Sequence, residues 1–124
     1  MNAKVKKILI FDDDEDIVSI CTFILEEDGW EVLAYEDCNY LSERIISFAP
    51  NVILMDNWIP EEGGITATRQ IKANSSLAHI PVIYFSANSN IETLAANAGA
   101  DLILSKPFDL DQLRQITTQA IDAR

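Results

Sequence analysis

The chain has 124 residues, 48 % of them hydrophobic, and carries 20 acidic against 9 basic residues for a formal charge of -11. That length suits one domain that buries about two-thirds of its unfolded surface, so neither a metal nor a disulfide staple is needed to hold a core. The acidic balance disfavours direct nucleic-acid binding and points to protein partners, and the lack of a long apolar run or a signal-peptide pattern gives the expectation of a cytoplasmic domain without membrane contact. Cys21 and Cys38 form no CxxC pair and are expected to be buried thiols.

Ile8 to Phe11 is a continuous apolar run with β-branched members, which suits a strand covered on both faces. Polarity then switches at DDDED, after which Ile17, Ile20, Cys21, Ile24 and Leu25 recur at helical spacing up to a stop at Gly29. Asp14, Glu15 and Asp16 are best read as the favourable acidic start of that helix. WEVLAY, residues 30 to 35, alternates imperfectly and predicts a second strand; Leu41, Ile45 and Phe48 mark a second helix that Pro50 ends.

VILM, residues 52 to 55, is apolar throughout and predicts a central strand of a parallel sheet. A third helix is expected from Gly64 or Ile65 to about Asn74, and PVIYF (81 to 85) is a fourth strand with Pro81 where a missing donor costs least. Ile91, Leu94, Ala95 and Ala98 predict a fourth helix that stops at Gly99. DLIL (101 to 104) is a fifth strand, and Asp109 with Gln112 resembles a capping box for a last helix bearing Leu110, Leu113, Ile116, Ala120 and Ile121. No linker or repeat interrupts the series, so residues 1–124 are expected to form one domain.

Five strand–helix units predict an α/β fold, a doubly wound parallel sheet with helices on both faces and right-handed crossovers. Ligands in such folds bind beyond the carboxyl ends of the strands. The residues there are Asp12, Asp13 and Asp14, then Asp56, Ser86, Ser105 and Lys106. Crowded carboxylates resist ionisation unless a cation offsets them, and Mg²⁺, a hard ion that keeps open positions for water and phosphoryl oxygens, fits that role. Lys106 and Ser86 are suited to hold phosphoryl oxygens, and Asp56, at the end of the most central strand, is the candidate nucleophile. The set points to phosphoryl chemistry.

KILIFDDDEDI, VILMDNWIP followed by Gly64, FSA at 85 to 87 and GADLILSKPFD at 99 to 109 together resemble the receiver domain of bacterial two-component response regulators, over essentially the whole chain. The resemblance implies a flavodoxin-like sheet of order 2-1-3-4-5 with five helices. It implies that Asp12 and Asp13 hold Mg²⁺, with Asp13 the more direct ligand, that Asp56 is phosphoacceptor and metal ligand, and that the main-chain carbonyl of Trp58 completes the metal site. Ser86 is then the switching hydroxyl and Lys106 the phosphoryl-binding lysine, followed by a cis proline, Pro107. The expected donor is a phosphohistidine on a sensor histidine kinase or phosphotransfer protein, the expected recipient of the signal a downstream protein target or output domain. Self-phosphorylation from a small phosphodonor and weak autophosphatase activity are expected, with no small-molecule turnover as the main role.

Three departures from the family pattern stand out. Ile103 occupies the position of the switch aromatic, so coupling is expected to run through its packing or by another route. Glu61, Glu62, Gly63 and Gly64 replace the usual Asp-Gly ending of the loop after the acceptor, and the extra glycine is expected to loosen that turn. Trp58 places a large side chain on the rim, for loop packing or for partner contact. His79 lies at the wrong end of its strand for the site and is expected to have a surface or structural role, while Trp30 and the ring of Tyr84 are expected to pack in the core. A pseudo-receiver that binds partners without phosphorylation is the rival reading, and a haloacid-dehalogenase-type magnesium phosphatase the lesser one, since its threonine motif and cap domain are missing. With a fifth helix predicted to run to the end of the sequence, no output domain is expected within residues 1–124, which suits either a stand-alone receiver or part of a longer regulator.

Overall fold

The computed structural model describes residues 5–57 and 63–122. Strand β1 (Lys6–Phe11) leads into α1 (Glu15–Glu27), β2 (Trp30–Tyr35), α2 (Leu41–Phe48), β3 (Val52–Asp56), α3 (Gly63–Ala73), β4 (Val82–Ser86), α4 (Ile91–Ala98), β5 (Leu102–Ser105) and α5 (Leu110–Asp122). All strand pairs are parallel and the order is β2-β1-β3-β4-β5, as expected from the sequence.

Period-two alternation distributes each apolar strand between two faces. Ile8, Ile10, Val52, Leu54, Ile83 and Phe85 join Cys21, Ile24, Leu25 and Leu113 on the side of α1 and α5. Leu9, Phe11, Ile53, Met55 and Val82 join Leu41, Ile45, Ala67 and Ile71 on the side of α2 and α3. Double coverage is why β1, β3 and β4 read as unbroken apolar runs rather than alternating ones. Trp30 is buried against the first of these clusters, and both cysteines are buried, as expected. Burial, helped by the charge of Asp12, pushes the Cys21 thiol up to about 12 and so keeps it protonated.

The helix ends follow local chemistry. Asp14 caps α1 by accepting the N–H groups of Asp16 and Ile17, and Gly29 follows at φ +89. The capping box of α5 is reciprocal: Asp109 Oδ1 accepts the Gln112 N–H at 2.8 Å and Gln112 Oε1 accepts the Asp109 N–H at 2.9 Å. Pro81 lies just before β4 rather than in it, and β5 extends to Ser105. Lys72 of α3 pins the start of β4 from below, bonding Asp101 at 2.6 Å and the carbonyl of Ile80 at 2.8 Å. Among the described residues no helix is long and apolar enough to cross a membrane.

Candidate phosphoacceptor site

Parallel strands place all their carboxyl ends on one edge. Phe11 is in register with Met55, Asp56 with Phe85, and Ser86 with Ser105, so the residues after β1, β3, β4 and β5 are neighbours there. Asp12 and Asp56 are nearly inaccessible, at 1 % and 3 % exposure, while Asp13 is exposed. Carboxylate oxygens of Asp12, Asp13 and Asp56 lie within 4.8 Å of one another. Lys106 reaches into this group: its Nζ is 2.7 Å from Asp56 Oδ1 and 3.4 Å from Asp12 Oδ2.

Backbone contacts hold the edge in place. The Asp14 N–H donates to Asp12 Oδ1 at 2.9 Å, and the Asp12 N–H to the Tyr35 carbonyl at 3.1 Å. The Lys106 N–H donates to the Ser86 carbonyl at 2.9 Å, and the Lys106 peptide to Pro107 is cis. Lys106 Nζ also lies 4.3 Å from the centre of the Phe85 ring, so its stem and head are guided from beneath. Ser86 is buried at the end of β4, and its Oγ accepts the Asn88 N–H at 3.0 Å. It does not cap α4, whose N-cap is Asn90.

The electrostatics follow from burial and proximity. Burial pushes the Asp12 carboxyl above its ordinary range; the Asp14 N–H opposes this, and the charge of Asp56 adds to it. For Lys106, burial alone would lower the ammonium, but the hydrogen bond to Asp56 and the charges of Asp56 and Asp12 outweigh it, and the group titrates above its ordinary value. Among the described residues three carboxyl groups thus face one ammonium. A divalent cation with a preference for oxygen fits that imbalance and that ligand set.

Asp12, Asp13, Asp56, Ser86 and Lys106 therefore share one edge, as the sequence predicts. The expected metal contact from Trp58, and Glu61 and Glu62 of the same loop, lie outside the described residues. Ile103 sits within β5, partly buried and in register with Tyr84. His79 is exposed and far from the acidic edge in sequence register, at the opposite end of β4.

Two features escape sequence reasoning. Gly64 does more than close a turn: a Cβ there would lie 2.3 Å from the carbonyl oxygen of Asp56 and 3.0 Å from Asn57 Cα, so α3 approaches the end of β3 at a point that admits no side chain. The sequence expectation of a loosened turn misses this close packing. Gly64→Ala is expected to displace the Asp56 backbone and to cost about 2 kcal/mol or more of stability in urea titration. The second is Tyr84, whose hydroxyl donates to Asn57 Oδ1, on the residue that follows Asp56.

The family model of the response regulator receiver domain matches residues 8–118, and the chain belongs to that family. It is a phosphoacceptor receiver domain of the two-component class. The chain is 33 % identical over 119 residues to the nitrogen assimilation regulatory protein NtrX of Azorhizobium caulinodans, a match that covers 93 % of this chain and 26 % of that protein. The receiver domain of NtrX from Brucella abortus superposes with a TM-score of 0.85 at 28 % identity, covering 94 % of this chain and 99 % of that one. A sensor histidine kinase receiver domain from Pseudomonas aeruginosa, solved with a magnesium ion in its active-site cleft, superposes with a TM-score of 0.87 at 26 % identity over 96 % of this chain and 99 % of that one.

Proposed function

We propose that residues 1–124 act as one receiver domain in which Asp56 accepts a phosphoryl group from a phosphohistidine on a sensor histidine kinase or phosphotransfer protein. The observation that carries this reading is the placement of Lys106 Nζ 2.7 Å from Asp56 Oδ1 within a cluster of three carboxylates. A carboxylate oxygen of Asp56 attacks phosphorus in line as the bond from phosphorus to the histidine nitrogen breaks, leaving neutral imidazole on the donor. Lys106 moves from a carboxylate to a phosphoryl oxygen and offsets the charge that spreads over the equatorial positions. The Ser86 hydroxyl at the neighbouring strand end donates to another phosphoryl oxygen. Asp12, Asp13 and Asp56 would hold Mg²⁺, which when bound supplies further charge neutralisation at the transferring group. Attack by water on phosphorus breaks its bond to the Asp56 oxygen, releases inorganic phosphate, restores the carboxylate and gives weak autophosphatase activity.

The new dianion biases the loops that carry Ser86 and Lys106 and shifts the population of surfaces on the β4–α4–β5 side, where a downstream protein or output domain docks. Direct nucleic-acid contact by this segment does not fit its charge of -11.

Intact mass after incubation with acetyl phosphate tests the assignment. One phosphoryl adduct is expected with Mg²⁺, none with EDTA, and none in Asp56→Asn. A folded, metal-binding parent that takes no adduct from acetyl phosphate or from a phosphorylated histidine donor would instead be a binding adaptor.

A further inference from the structure

Among the described residues Tyr84 is the largest fully buried side chain, at 0 % exposure on β4. Its ring packs under α4 with Ile91, Ala95 and Ala98, and Ile103 packs against the same cluster from the adjacent strand. A phenol in such surroundings needs a partner for its O–H. It finds Asn57 Oδ1, on the residue that follows Asp56.

Asn57 is held at three points. Its N–H donates to the Phe85 carbonyl at 3.2 Å, its own carbonyl accepts the Gly64 N–H at 3.1 Å, and its side chain takes the Tyr84 hydroxyl. The first two are backbone ties that set where β3 ends and α3 begins. The third leads away from the edge, through a rigid ring, to the underside of α4. Burial, and after it the charge of Asp56, push the phenol up to about 12, which keeps it a donor at neutral pH.

We propose that Tyr84 is the positioning residue that holds Asn57 beside the phosphoacceptor and carries the state of that edge to α4. This rests on the reading of Asp56 as acceptor. Ile103, at the family's aromatic position, has no polar atom with which to sense the edge; Tyr84, its in-register neighbour on β4, has one already engaged. Conversion of the Asp56 carboxylate to its acyl phosphate raises the local negative charge from one to about two next to Asn57. That charge favours the amide N–H₂ over Oδ1, so the side chain turns, the Tyr84 hydroxyl loses its acceptor, and Ile91, Ala95 and Ala98 repack around a shifted ring.

Tyr84→Phe keeps the ring and removes only the hydroxyl; Asn57→Ala removes the other partner. Amide hydrogen exchange would be followed in the parent and both variants, first metal-free, then with Mg²⁺ alone, then with Mg²⁺ and acetyl phosphate, with adduct occupancy read by intact mass in the same samples. In the metal-free state, Tyr84→Phe is expected to raise exchange at the Asn57 and Gly64 amides about fivefold, the weight of one net hydrogen bond. On modification, exchange across Ile91–Ala98 is expected to change about threefold or more in the parent and less than half as much in either variant at similar adduct occupancy. Equal α4 responses in parent and Tyr84→Phe, or an α4 that ignores the adduct in the parent, would overturn the proposal, as would unchanged metal-free exchange at Asn57 and Gly64. A parent without adduct would count against Asp56 as acceptor, and the metal-free comparison would still decide the role of Tyr84.

Discussion

Lys106→Met is expected to slow formation of the Asp56 adduct from acetyl phosphate by about 100-fold or more, because it removes a fixed positive charge from the place where phosphoryl charge develops. The same substitution leaves Asp12 and Asp56, both nearly inaccessible, without the ammonium that lies 3.4 and 2.7 Å from their oxygens. Truncating one partner of a buried charge group costs several kcal/mol, and since the Lys106 side chain keeps 19 % of its exposure, a loss of about 2 kcal/mol in metal-free urea titration is expected.

The pH dependence has a definite sign. The ammonium of Lys106 titrates above 10.5 in the folded state, so its contribution is fully present below that value and is lost as pH rises through the folded pKa. The Asp12 carboxyl is raised above 3.8, so the folded state holds its proton longer than the unfolded chain and stability falls as pH rises from about 3.8 through the folded pKa. In Lys106→Met that second window widens upward, since one of the influences lowering Asp12 is gone. The deficit of the variant against the parent is therefore expected to shrink as the medium is acidified through that window. A variant that loses stability equally at all pH values would show that Lys106 matters through packing on Phe85 and not through its charge.

The second large effect is that of the metal on the fold. An ion that binds only the folded chain stabilises it by about 2.7 kcal/mol at a concentration about 100 times its dissociation constant. For a domain of this size that is a rise in melting temperature on the order of 10 °C on adding Mg²⁺, reversed by EDTA. Asp13→Asn is the informative comparison, because Asp13 is exposed and its replacement leaves the buried pair and Lys106 intact. The rise is expected to fall to less than about a quarter in that variant. An equal rise in parent and Asp13→Asn would place the ion somewhere other than the acidic edge.

Much of this site was legible before any coordinates. Asp12, Asp56, Ser86 and Lys106 each follow or end an apolar run, and in a parallel sheet every such run delivers its last residue to the same edge. The capping box of Asp109 and Gln112, the αL stops at Gly29 and Gly99, and the burial of Cys21 and Cys38 were likewise carried by local pattern. Boundaries shifted by only a residue or two where strands end, as at Pro81 and Ser105, because ladder pairing and not apolarity decides the last member.

Periodicity states which face a residue occupies, and composition states what an edge can bind; neither contains a distance between residues far apart in the chain. The bridge from Lys106 to Asp12 and Asp56 spans 94 and 50 positions, and only the register of β1, β3 and β5 determines which oxygen the ammonium reaches. Gly64 reads as loop punctuation until the approach of α3 to the Asp56 carbonyl shows that a Cβ has no room there. Tyr84 reads as a core aromatic, which its ring is, and its hydroxyl acquires a role only because β3 and β4 pair so that Asn57 lies within its reach. The sequence by itself determined the elements, the sheet and the chemical inventory of the edge, since these follow from short-range pattern; the tertiary structure decided which of those groups touch, since contact depends on strand register and packing that no local window records.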